Sequence, residues 1–308
     1  MRLTCTSDTT NLGSWWYNPE IGRLQYSYCG SAWSSGGPLI TSRVYLAGAG
    51  TQNAGLAFGG RCDPNFSVVS CTEEYNGTAW ATGGDLITAR DCLAGAGTQD
   101  AGLAFGGGLF PFTSVSCTEE YNGSSWSAGG ALSTERSDLA GAGTQNAGLA
   151  FGGYSTAYST MLSCTEEYNG SAWSSGGALI TPTRGLSGAG TQNAGLAFGG
   201  VDSYFNNLSC TEEYNGTSWT SGGALITARQ LGAGIGEQNA ALFAGGNSSF
   251  NTVSCTEEYN GTSWSAGGAL ITVNDCLAGS GTQTAGLVFG GIFNCTQEFN
   301  FGIQICTL

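Results

Sequence analysis

The sequence contains no histidine and no lysine, and its eight basic residues are all arginines. With no imidazole titrating near neutral pH and no amine that burial could poise, most general bases and Schiff-base nucleophiles are missing. A nucleophilic cysteine would lack an imidazole to activate it. Charge of either sign is scarce, at 10% of residues, and 22 acidic side chains leave a net charge of −14. Such a field repels phosphate backbones and anionic bilayers, so neither nucleic acid nor membrane insertion is expected. No apolar run reaches the length of a helical membrane span, and no leader segment is expected ahead of the first repeat. Glycine-free stretches with a 3.6-residue apolar period are also missing, which argues against helices.

Against these absences stand 53 glycines among 308 residues, 41% hydrophobic residues and eight tryptophans. A disordered chain would not carry that aromatic content. The composition fits a folded, glycine-rich, all-β protein, whose length suits either one large β domain or two average ones.

Repetition organises the chain. The string "SCTEEYNGTSWSAGGALIT" at 254–272 has close copies beginning at Ser70, Ser116, Ser163 and Ser209. The tryptophans Trp33, Trp80, Trp126, Trp173, Trp219 and Trp264 follow one another at steps of 45 to 47 residues. A second landmark, "AGAGTQNAGLAFGG", is complete at 47–60 and 140–153 and nearly so elsewhere. Each unit reads as four short strands: A ("LAGAG", 46–50), B ("AGLAFGG", 54–60), C ("SCTEEY", 70–75) and D, which carries Trp80. Asn76-Gly77 between C and D is a strong two-residue hairpin signal. Four antiparallel strands in a unit of this length match a β-propeller blade. Small residues in strand A let the blades converge on a central channel, while Tyr75 and Trp80 fill the widening wedge outside.

These residues resemble the kelch repeat. Gly-Gly closes strand B, a tyrosine ends strand C, and a tryptophan opens strand D five residues later. An arginine precedes strand A at Arg43, Arg90, Arg136, Arg184 and Arg229. The resemblance spans roughly residues 43–291 and implies the propeller fold, which hosts enzymes, adaptors and binders alike. Two further stretches resemble bacteriophage proteins. "LGSWWYNPEIGRLQYSY" (12–28) is similar to a hairpin of tail-fibre and other virion proteins, and "AGAGTQNAGLAFGG" looks like kelch-type proteins of aquatic phages. That likeness implies a virion-surface, extracellular setting, with other virion proteins or a host-surface glycan or protein as partners.

The terminal copies are worn. "QYSYCGSAW" (25–33) reads as a C–D pair, "GSWWYN" (13–18) as strand B, "RLTCT" (2–6) as strand A, and "IQICTL" (303–308) as a last strand D. Seven blades are therefore favoured, with six as the alternative: a degenerate first blade at 1–40, five regular blades at 43–271, and a degenerate last blade at 274–308. Cys5 and Cys306 lie in the two outermost segments, where a disulfide would lock the ring.

The paired glutamates (Glu73, Glu119, Glu166, Glu212 and Glu257, each followed by another) cannot share a site pairwise, because neighbours on a strand face opposite ways. A feature copied into every blade also suits a frame better than one active site. The expectation is that Arg90, Arg136, Arg184 and Arg229 neutralise these strand-C glutamates between blades, since a buried carboxylate needs a partner. The strand-C thiols (Cys71, Cys117, Cys164, Cys210, Cys255, Cys295) lie too far apart for one another and read as small buried apolar groups. No zinc-like clustering exists, and no cofactor is expected. Asn-Gly-Ser/Thr at Asn76, Asn122, Asn169, Asn215 and Asn260 fits a glycosylation acceptor, but the hairpin turn explains it first.

What varies between copies is the B–C loop. Asp63, Asn65, Phe66, Phe110, Phe112, Tyr154, Tyr158, Asp202, Tyr204, Phe205 and Phe250 are the candidate ligand contacts. A constant frame with variable loops is how binding faces are commonly built. The expected function is a non-enzymatic virion-surface binding protein, with a carbohydrate-active enzyme or lectin and a fibre or shell subunit as alternatives. Self-association into a homo-oligomer stays open.

Overall fold

The computed structural model describes residues 4–6, 15–62, 67–111 and 113–307, with backbone alone for 4–6, 16, 26–29 and 302–307. It is a single all-β propeller of six blades. The first blade is typical, with strands Ala47–Thr51, Ala54–Phe58, Thr72–Tyr75 and Trp80–Thr82 in antiparallel order. Four more four-stranded sheets repeat it, with strands A beginning at Ala94, Ala140, Ser187 and Ala233. Strand A lines the channel, and glycine is required there. A Cβ on Gly141 would lie 2.5 Å from the ring of Phe105 in the preceding blade.

The sixth blade corrects the expected count of seven. Its strands Leu277–Thr282, Ala285–Gly290 and Cys295–Thr307 come from the end of the chain, and Arg23–Ser35 supplies the fourth. The join is long: Gln25 pairs with Thr307 and Ser35 with Gln297, in unbroken antiparallel register. The reason is local. After Asn300 the chain reads Phe-Gly, not Gly-Ser/Thr, so no hairpin turn forms and strand C runs straight on through 303–307. Each end thus holds part of one blade. Trp33 completes it, its Nε1 donating to Thr256 Oγ1 of blade five at 3.1 Å.

The segment read as a strand B of a separate blade, Trp15–Asn18, instead folds back on Arg23–Ser35 as a rim hairpin. Thr4–Thr6 pairs with the terminal strand, setting Cys5 opposite Cys306 in the backbone register. The side chains of that expected disulfide lie outside the described residues.

Packing between blades repeats with little variation. Phe151 of blade three meets Trp219 of blade four at a centroid distance of 4.9 Å, and Phe289 meets Trp80 across the closure at the same distance. Each of the six blade tryptophans also donates its indole N–H to a strand-C threonine of the preceding blade, as Trp126 does to Thr72 at 2.9 Å. The indole is therefore buried with its one polar atom satisfied.

Candidate functional site

Because the four strands alternate in direction, A–B and C–D turns lie on one face of the disc, and B–C loops and D–A connectors lie on the other. The first is called the lower face and the second the upper face.

The lower face is uniform. Asn76 Oδ1 accepts from the backbone N–H of Thr78 (3.0 Å) and Ala79 (2.9 Å), and Asn122, Asn169, Asn215 and Asn260 form the same turn. The sequence reading missed the glutamine of the A–B turn. Gln192 Nε2 donates to the carbonyls of Gly148 (3.0 Å) and Tyr168 (2.6 Å) in the neighbouring blade. Gln52, Gln99, Gln145, Gln238 and Gln283 repeat this clamp. The signal available was a polar residue held constant at a turn tip that needs none.

Both glutamates of each pair belong to the frame. In four of the five pairs the first is buried and meets the arginine within its own blade, where the connector from the preceding blade arrives. Arg43–Glu73 (3.4 Å), Arg90–Glu119 (2.7 Å), Arg136–Glu166 and Arg229–Glu257 are such pairs. The expected location between blades therefore falls instead to the second glutamate: Tyr121 Oη donates to Glu74 at 2.6 Å, and Tyr168 to Glu120 likewise. Burial first, then this bond to a carboxylate, pushes these tyrosines up to about 12.

Arg184 does not pair with Glu212. "TPTR" (181–184) carries one residue more than "TAR" (88–90), so Thr183 fills the arginine position and Arg184 sits one place further on. The backbone shows the substitution: Gly153 N–H donates to the Thr183 carbonyl just as Gly107 does to that of Arg136. Glu212 is left with the N–H groups of Ile180 (2.8 Å) and Thr181 (3.0 Å), and burial raises its carboxyl above the ordinary range. Blade six solves the same problem with neutral groups, Asn274 and Gln297.

The strand-C thiols are free and half-buried, where full burial was expected, and burial pushes Cys71, Cys117, Cys164, Cys210 and Cys255 up. Among the described residues no group of three or more acidic, histidine or thiol side chains could hold a metal ion, and no helix is long and apolar enough to cross a membrane.

On the upper face the blades differ. The channel mouth is closed by a collar of Tyr45, Cys92, Asp138, Gly185, Leu231 and Cys276, all with positive φ near 50–63°. Each N–H donates to the carbonyl of the collar residue in the preceding blade, from Cys92 to Tyr45 round to Tyr45 to Cys276, at 2.9–3.0 Å. A left-handed backbone costs a non-glycine residue about 1 kcal/mol or more, and persists where the surroundings over-determine it, as this ring does. The backbone makes the ring, so the residue type at each place is free to vary.

Beside the collar lies a cleft of about 290 Å³ across blades one to four. Arg61 and Asp91 stand 3.6 Å apart at one end, Arg184 and Asp138 3.9 Å apart at the other. Arg61 lies over the Tyr45 ring at 4.5 Å, and Arg184 over Tyr154 and Phe205 at 5.2 Å each. Burial raises the Asp91 carboxyl despite the opposing pull of Arg61.

Of the candidate contacts, Phe110 and Tyr154 line this cleft, and Phe205 reaches it through Arg184. Tyr158, Tyr204 (83% exposed) and Phe250 (97% exposed) project from the loops, apart from the cleft. Asp202 organises its own loop, accepting from Asn206 Nδ2, Asn206 N and Tyr204 N, and these bonds lower its pKa. Asp63, Asn65, Phe66 and Phe112 lie outside the described residues. Arg61, Asp91 and Asp138 were not anticipated, because each occurs at a place where the copies disagree and no motif marks it.

No protein-family model matches the chain, and no curated protein is similar to it. The functional reading therefore rests on the geometry together with the likenesses noted in the sequence.

Proposed function

We propose that this propeller is a kelch-like, non-enzymatic recognition module of a virion surface, binding a glycan or protein of the host through its upper face. The observation that carries this reading is the distribution of exposed apolar side chains. Phe110, Tyr158, Tyr204, Phe205 and Phe250 all stand on the B–C loops, and Ile40, Ile87, Ile180, Ile226 and Ile271 stand on the connectors of the same face in five of the six blades. Large apolar side chains exposed together on one face commonly mark an interaction site. The test has two parts. Mass spectrometry of purified virions should detect peptides of this chain, and exchanging 154–162 for a short Gly-Ser loop should abolish attachment of the protein to host envelope while leaving the melting temperature within a few degrees. Retained attachment after several such exchanges would overturn the reading.

One observation favours a second reading, a carbohydrate-cleaving enzyme. Asp91 and Asp138 line one cleft, and Asp91 is raised as a general acid would be. New reducing ends released from a bound oligosaccharide, and lost in Asp91→Asn, would establish it.

A further inference from the structure

Resting on the recognition role proposed above, we infer that the cleft across blades one to four is a subsite for a neutral hexose chain, with Arg61–Asp91 and Arg184–Asp138 each engaging its hydroxyls. The two pairs differ in kind from the frame pairs. Frame pairs repeat blade by blade and bury both partners, as in Arg136–Glu166. The cleft pairs are partly exposed, occur once each, and come from non-equivalent positions: Arg61 opens a B–C loop, whereas Arg184 ends a connector.

Their separations of 3.6 and 3.9 Å exceed hydrogen-bond length. A hydroxyl set beside either pair can accept from the guanidinium N–H and donate to the carboxylate at once. Each guanidinium lies over aromatic rings, Arg61 over Tyr45 and Arg184 over Tyr154 and Phe205, which offers a flat apolar surface beside each charged pair. Phe110 and Tyr154 supply apolar surface for the C–H face of a sugar ring. The volume lies near the lower end of small-molecule sites, which suits a short saccharide.

Neutrality follows from the charges. The two arginines are matched by two aspartates, Glu135 stands close by on Ser155 (2.7 Å), and the whole chain carries −14. An acidic sugar would enter that field with no surplus cation to receive it.

The experiment is a glycan array of neutral and acidic oligosaccharides, followed by calorimetry with the best neutral ligand on wild type, Arg184→Met and Asp138→Asn. Neutral hexose chains should bind, and each variant should weaken them roughly tenfold or more, as expected for hydrogen bonds to charged groups, with the melting temperature little changed. Preference for acidic sugars, an array without neutral ligands, or unchanged affinity in both variants would overturn the inference. If the array is blank while the 154–162 exchange still abolishes attachment to envelope, the cleft assignment falls and the recognition role stands.

Discussion

At the lower end of every blade a glutamine reaches sideways to two carbonyls of its neighbour, and in blades one to five an asparagine caps its own turn. At the upper end the corresponding places hold a tyrosine, two cysteines, an aspartate, a glycine and a leucine on one backbone ring. Both ends are tied blade to blade by hydrogen bonds. They differ in which atoms do the tying. Below, side chains hold the frame, so their identity cannot change without loss. Above, the backbone holds the frame, and the side chains are released for other tasks. A repeat protein can thus vary one face without loosening the ring, because the collar asks for a conformation and not for a particular residue.

The sharpest way to break this contrast is to exchange two arginines that look equivalent in the sequence. Arg136 is fully buried on Glu166, so Arg136→Met should strand a buried carboxylate and cost about 3–5 kcal/mol. Arg184 is partly exposed beside Asp138, and Arg184→Met should cost less than about 1 kcal/mol. Urea denaturation of both variants measures the difference. Equal losses would mean that the upper face is as structural as the frame.

The glutamine clamp comes next. Gln192→Ala removes the donor from two carbonyls of the neighbouring blade and should cost about 1–3 kcal/mol. Binding to the upper face should not change once the protein is folded, which calorimetry on the purified variant would read. A weakened upper face would show that the two ends are coupled through the blade.

Much of this frame was legible in the sequence because it is written in repeated residue types. The Trp step gave the period, Asn-Gly placed the C–D turn, and recurring Arg and Glu pointed to ion pairs. The blade count was not legible, since it depends on whether two partial copies form two blades or share one. That choice turned on Gly302 standing where no turn could form, and on a pairing between residues nearly three hundred positions apart. The shift of Arg184 was hidden by one added residue at 181–183, which periodicity at this resolution ignores. The cleft was least legible, because Arg61, Asp91 and Asp138 come from unlike positions that only the ring brings together.

Blade four tests the frame at its weak point. Glu212 is buried without a cation, whereas blade six holds glutamine at the same position. Glu212→Gln should therefore change stability by less than about 1 kcal/mol near neutral pH, while Glu166→Gln should cost more by leaving Arg136 without its anion. The pH dependence has a definite sign. The Glu212 carboxyl lies above its ordinary value of 4.5 in the folded protein. Its contribution is then fully present below that value and is lost as pH rises through the folded pKa. Wild type should accordingly lose ground to the glutamine variant between acid and neutral pH, in urea melts run at both. The opposite slope would require a cation beside Glu212, which the described residues do not provide.

The smallest effect on stability belongs to the tip of the blade-five loop. Phe250 is 97% exposed and holds φ at 67°, a left-handed conformation that suits glycine better than an aromatic residue. Nothing buried depends on its ring. Phe250→Gly should relieve backbone strain while freeing the unfolded chain, and the two changes offset, leaving stability within about 1 kcal/mol of wild type. Attachment is where the loss should appear, since a large apolar group held outward by an unfavourable backbone is well placed to meet a partner. Phe250→Tyr should keep most of that attachment, because it retains the ring and the backbone cost together. A melt showing more than about 2 kcal/mol lost in the glycine variant would place Phe250 in the frame, and the division of labour between the two faces would fail at this loop.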